Sequence, residues 1–316
     1  MSLRHIPVLA GLCLLAAHVQ AQQPALDFPV HPQRVFLLNV TQAGESLVAV
    51  GERGVVLRAD QQDGPWSSIR TSSSRTLAGV AFVDANRGVA VGHGGTLLRT
   101  EDGGRQWHEV EADTNGDALL GVAALGGGRM AAWGAFGLYL LSTDNGASWQ
   151  RRRVMDEDFD RHISQVIALA NGDWLMVGES GTLARSSDLG ESWQALSSPY
   201  GGSLFGALQL REGGLLIYGM RGNLWYSADA GQSWTQRPSH TTFAFNGALQ
   251  LKSGRVLILG NSGLLLASDD QGEHFSTLPS THASLARALE RSDGQLLAVG
   301  DHGVMTLSPV AAKGQD

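Results

Sequence analysis

A closed ring of seven four-stranded antiparallel blades, an all-β propeller, is the fold this sequence predicts, and three observations predict it. One phrase recurs, whole or in part, seven times: an apolar strand, a Gly-x-x-Gly turn, a second apolar strand, an Asp-containing turn and a Trp. The first glycine of the turn falls at Gly51, Gly92, Gly134, Gly178, Gly219, Gly260 and Gly300, in steps of 41, 42, 44, 41, 41 and 40 residues. The closing aromatic keeps the same beat at Trp66, Trp107, Trp149, Trp193, Trp234 and Phe275. A period of this length built from strands alone is that of a propeller blade.

Residues 118–152 illustrate one unit. Four short apolar runs are separated by Gly-rich or Asp-Gly turns at hairpin spacing. The first run, 119–124, is small and apolar, as an inner strand crowded around an axis requires. The runs at 130–133 and 138–141 are bulkier and suit packing between neighbouring blades. The fourth strand is expected to begin at Trp149 and turns polar, as a solvent-facing edge should.

Between the third and fourth strands stands Ser/Thr-x-Asp-x-Gly-x-x-Trp, complete at 100–107, 142–149, 186–193 and 227–234, with Phe275 replacing the Trp at 268–275. The first copy has lost the pattern, with Gln61 where the Asp should stand. Asp102, Asp144, Asp188, Asp229 and Asp270 are expected to accept backbone N–H groups across the turn. The glycine two residues on is expected to take positive φ, which costs little without a Cβ. Trp107, Trp149, Trp193 and Trp234 would then fold back as apolar plugs. These aspartates recur once per blade around a ring, so they cannot converge on one substrate or ion.

The seventh copy stops at Pro309 with no Asp turn. A propeller closes by borrowing a strand from its other end, which removes the open edge. Residues 26–30 (LDFPV) are placed to be that strand.

Residues 1–21 read as a cleavable secretory signal: Arg4, an apolar run over 8–17, and small-residue cleavage before Gln22. A single propeller would occupy 22–309 and a disordered tail 310–316. An exported or periplasmic location follows, with a monomer expected when the chain is free. The single cysteine, Cys13, lies within the signal, so the mature chain would have neither disulfide nor thiol chemistry. A formal charge of −7 without a basic stripe argues against nucleic acid. No histidine pair has local ligand spacing and no Gly-rich phosphate loop opens a helix, so neither a metal nor a cofactor is expected.

The Asp turns place the chain among sequences that resemble the BNR, or Asp-box, propellers. The fuller pattern G-x-x-G-x-[IL]-x-x-[ST]-x-D-x-G-x-x-W follows a strand reading L-x-x-V-x-F-x-D at 77–84. In this it is similar to the photosystem II stability and assembly factor family of seven-bladed propellers, whose relatives also occur in bacteria without photosystems. The resemblance implies a non-catalytic, protein-binding assembly factor or periplasmic accessory of an inner-membrane complex. Exporters of the RND class are among the complexes it implies. Photosynthetic members bind partly through basic residues on one face; Arg53, Arg75 and Arg221 are the scattered counterparts here.

In a four-stranded blade the Gly-x-x-Gly turns and the interblade loops emerge on one face, and the Asp turns on the other. Variable residues on a constant frame are where recognition would be written. The candidates are Arg53, His93, Phe136, Arg221 and His302 in the turns. Arg151, Arg152 and Arg153, in the longest interblade loop, and Tyr200, in the next one, join them. The alternative is a glycan-binding or sialidase-like protein. That chemistry needs two carboxylates meeting near the axis, for which Glu52, Glu179 and Asp301 are the best-placed acids.

Overall fold

The computed structural model describes residues 30–279 and 281–307. The signal, residues 26–29 of the closing strand and the tail lie outside the described residues. Seven antiparallel sheets follow one another in chain order at 37–69, 77–109, 119–151, 163–195, 204–236, 245–277 and 285–307, and we number these blades one to seven. Six have four strands and blade seven has three among the described residues. The all-β, seven-bladed expectation holds.

In blade three the strands are Leu119–Ala124, Met130–Gly134, Tyr139–Ser142 and Gln150–Arg151. The third strand starts one residue later than expected because Leu138 closes the turn, donating its N–H to the Ala135 carbonyl at 2.9 Å. The fourth starts after Trp149, whose ring turns inward and donates from Nε1 to the Gly146 carbonyl at 3.1 Å.

Every residue of all seven second strands is buried. The core is therefore not at the axis but in seven seams, each filled by two adjoining blades. The seam between blades three and four packs Trp133 and Tyr139 against Trp174, Met176 and Trp193. The last seam closes the ring: Leu37, Leu47 and Leu57 of blade one pack with Leu297 and Val299 of blade seven. Val30 and Val304 pack against the same cluster, and Val304 N–H donates to the Pro32 carbonyl at 2.8 Å. Gly303 approaches Pro32 as Gly54 approaches Ser73 and Gly222 approaches Thr241. Residues 30–32 thus hold on blade seven the place that interblade loops hold elsewhere.

The Asp turns behave as expected, with the hydroxyl as hub. Thr100 Oγ1 accepts Gly104 N–H at 3.0 Å and donates to Asp102 Oδ1 at 2.9 Å. Asp102 Oδ1 also accepts the N–H groups of Arg105 and Gln106, both at 2.9 Å. The hydroxyl bonds repeat at Ser142, Ser186, Ser227 and Ser268. Gly104, Gly146, Gly190, Gly231 and Gly272 all have φ between 79° and 89°. Trp107, Trp149 and Trp193 are buried and Trp234 is partly so. In the degenerate first copy Asp60 instead pairs with Arg58 and with Arg105 of blade two. Asp84, the acid of the 77–84 strand pattern, is another turn staple, accepting the N–H groups of Asn86 and Arg87 at 2.9 and 2.7 Å.

Candidate functional site

The Gly-x-x-Gly tips are built by backbone. Gly134 lies against the Ala118 carbonyl so closely that a Cβ would sit 2.0 Å from the oxygen. The next N–H, of Ala135, donates to that same oxygen at 2.9 Å. This bond repeats at Glu52, His93, Glu179, Met220, Asn261 and Asp301 and brings the interblade connections onto the turn face. In blades one to six the tip is a single 3-10 turn whose middle residue is left-handed. Blade two places Gly94 there; the others force Arg53, Phe136, Ser180, Arg221 and Ser262 to φ of 52–56°.

Left-handed backbone costs an L-residue about 1–2 kcal/mol, and a bulky side chain there is unusual. Phe136 is the clearest case: it is 57% exposed, so burial offsets little of the strain. Five tips bear this strain, and in blade three it falls on an exposed aromatic.

Phe136 packs edge-on against the imidazole of His162, ring centroids 5.2 Å apart. His162 Nδ1 lies 2.8 Å from Glu179 Oε2, which also accepts the His162 backbone N–H at 3.0 Å. That backbone bond first, and the ring contact second, hold the Glu179 carboxyl below its ordinary range. Beside this pair is a cavity of about 410 Å³ lined by Leu120, Ser164, Ser203 and Phe205 as well as His162 and Glu179. Phe136 itself borders a second cavity of about 470 Å³, whose lining includes Arg151, Arg153, Asp156 and Phe159. A protruding aromatic flanked by a partly apolar recess and a charged one can seat a protein segment.

Phe136, Arg151 and Arg153 are thus brought together. Arg53, His93, Arg221 and His302 are exposed on the same face but on other blades. Exposed Met220 and Phe243 add an apolar element near Arg221. Two of the candidates are engaged within the molecule. Tyr200 is no free anchor: its ring folds back over Gly202 and packs on the core between blades four and five. Arg152 is no free cation, because its Nε reaches Glu191 in the Asp turn of blade four at 2.8 Å. Arg153 pairs with Glu157 at 2.6 Å, and Arg151 lies 4.0 Å from Asp113.

Leu120 and Phe205 were not singled out from the sequence. Both stand one residue after the buried leucine that opens an inner strand, a position also occupied by Leu38, Ala78, Ser164, Asn246 and Ala286. A bulky aromatic among these is the available signal. Asp270, Glu273 and His274 bring possible metal-ligand atoms within 4.8 Å of one another. They are exposed, and Asp270 is already engaged by Ser268 and His274 within the Asp turn.

Residues 57–242 match the family described as photosynthesis system II assembly factor YCF48. The chain belongs to this family. One relative, the photosystem II assembly lipoprotein Ycf48 of Synechococcus sp. (strain CC9902), is 26% identical over 133 residues, 42% of this chain and 40% of that protein. The match thus spans well under half of the relative. Among solved structures, YCF48 bound to D1 peptide superposes with a TM-score of 0.73 at 19% identity, covering 91% of this chain and 97% of that one. YCF48 from Cyanidioschyzon merolae gives 0.72 at 16%, covering 88% and 96%. At these identities the superpositions show the Ycf48-type fold alone.

Proposed function

We propose that this Ycf48-family propeller is an exported, non-catalytic protein-binding factor. It assists assembly of, or serves as periplasmic accessory to, an inner-membrane complex, with an RND-type exporter as the specific partner class. The observation that carries the reading is Phe136, strained and exposed between two recesses on the face where tips and interblade loops meet. The D1 peptide named with one structural neighbour, and the lipoprotein nature of one relative, support a protein partner and export. Among the described residues no helix is long and apolar enough to cross a membrane.

The glycosidase alternative is disfavoured by the turn acids. Glu52 Oε1, Glu179 Oε2 and Asp301 Oδ2 accept the N–H of Phe36, His162 and Ser284 at 3.2, 3.0 and 3.1 Å, each within its own blade. They act as backbone staples rather than as a facing pair.

The test is a tagged pull-down from mildly solubilised native membranes, with captured proteins identified by mass spectrometry. Stoichiometric recovery of one inner-membrane protein by the parent, lost in Phe136→Ala, is the expected result. Equal capture by both proteins would move the interface off this face, and no capture would remove the accessory role.

A further inference from the structure

The axial channel carries a feature that the turn face does not use. Seven inner strands surround it, and their third residues are Asn39, Gly79, Gly121, Gln165, Gly206, Gly247 and Arg287. Four are glycine where neighbours close in, a Cβ at Gly121 meeting the Trp133 ring at 2.6 Å and one at Gly206 the Tyr218 hydroxyl at 2.2 Å, and Arg287 is the one charge among the seven. Arg287 is half-buried, and its Nη1 donates to the carbonyls of Asn246 and Ala286. Nε and Nη2 have no hydrogen-bond acceptor among the described residues, and no carboxylate pairs with this guanidinium there.

The cavity into which Arg287 projects is about 370 Å³ and is lined across the ring by Asn39, Ser164, Gln165 and the Leu120–Leu125 segment. Among the described residues Arg287 is the only ionisable one lining it. The side-chain amide of Asn39 and the hydroxyl of Ser164 make no hydrogen bond among the described residues. Gln165 uses only its Oε1, accepting Ala207 N–H at 2.9 Å, which leaves its NH₂ available. The lining of this cavity thus carries one positive charge and, at Asn39, Ser164 and Gln165, unused donors.

Tying down Nη1 leaves one edge of the guanidinium, where Nε–H and Nη2–H run parallel. That edge matches the two oxygens of a carboxylate. An unpaired, partly desolvated guanidinium attracts an anion more strongly than an exposed one. We propose that the axial channel is a binding site for a small carboxylate, held on the Nε/Nη2 edge of Arg287 with Asn39 as a second donor. The site rests on Arg287 rather than on Phe136, although its cavity shares Leu120 and Ser164 with the recess beside His162.

The test is isothermal titration of the full chain with malonate, with sodium chloride at matched ionic strength as control and inorganic phosphate as competitor. Malonate should bind with one site per chain, and Arg287→Gln should weaken it by at least about tenfold. Asn39→Asp, which leaves the carbonyl contacts of Arg287 in place, should do the same by supplying an internal carboxylate. It keeps the test valid if Arg287→Gln fails to fold. Malonate heats no larger than those of chloride, or binding unchanged in Asn39→Asp, would overturn the site. Tighter binding of phosphate than of malonate would overturn its carboxylate preference.

Discussion

Arg58 Nε donates to the carbonyl oxygen of Gly103 at 2.8 Å, joining residues 45 apart in sequence and on different blades. The donor sits on the third strand of blade one and the acceptor in the Asp turn of blade two. Arg99 repeats the contact one blade on, reaching the Asn145 carbonyl at 3.3 Å. The Asp turn therefore does more than reverse its own hairpin; it offers carbonyls to the neighbouring blade.

Arg58 is almost wholly buried and also donates to Ser46 Oγ at 2.7 Å. Arg58→Ala should lower stability by about 1–3 kcal/mol, the cost of leaving a buried carbonyl unpaired. Urea unfolding measures it; an unchanged midpoint would mean the turn carbonyl is satisfied without the arginine.

The Asp turns should give the ring an acid limit. Burial raises the Asp270 carboxyl, but the His274 backbone N–H, the Ser268 hydroxyl and the His274 ring outweigh it and hold the group at about 2. Asp102, Asp144, Asp188 and Asp229 are held low by the same kinds of bond. A folded value below the unfolded value of about 3.9 gives stability that is complete above that pH and lost as pH falls through the folded value. Denaturant midpoints should therefore drop between about pH 4 and pH 2. Replacing the five aspartates by Asn should flatten that limb, and an equally steep loss in the variant would place its origin elsewhere.

Phe136→Gly separates folding from recognition. Glycine removes the left-handed penalty of about 1–2 kcal/mol but loses the ring contact with His162 and loosens the unfolded chain. Thermal stability should stay within about 1 kcal/mol of the parent while partner capture falls. A large loss of stability would make Phe136 a packing residue.

Ring closure depends on both chain ends. Gln62 of blade one accepts Ser292 N–H at 2.6 Å and Arg291 Nη1 at 3.2 Å through its side-chain and main-chain oxygens, across the seam that Leu37 and Leu297 fill. A chain beginning at residue 34 would lose Val30 and the Pro32 carbonyl that Val304 uses. Its melting temperature should fall well beyond the effect of removing 310–316. Equal effects in differential scanning calorimetry would show that the seam closes without residues 22–33.

The blade count, the strand order and the Asp-turn chemistry were legible because each rests on local spacing repeated in register. The left-handed middle residue at the tips was not, since five of six blades place a residue other than glycine there. Tyr200 shows the limit of composition: it reads as a loop aromatic, yet its ring folds back onto the core. The pairing of Arg152 with Glu191 spans 39 residues and two blades, so no local pattern announces it. Arg287 could have been found by aligning the third residues of the inner strands, where a charge among glycines is conspicuous.

The tip geometry has a consequence for how such rings diverge. The carbonyl-to-amide bond beneath each tip is made by main chain, so it is indifferent to which side chain the tip displays. Replacing a middle tip residue such as Phe136 therefore leaves that main-chain bond in place. The surface that a blade displays can thus change while the seams between blades keep their packing.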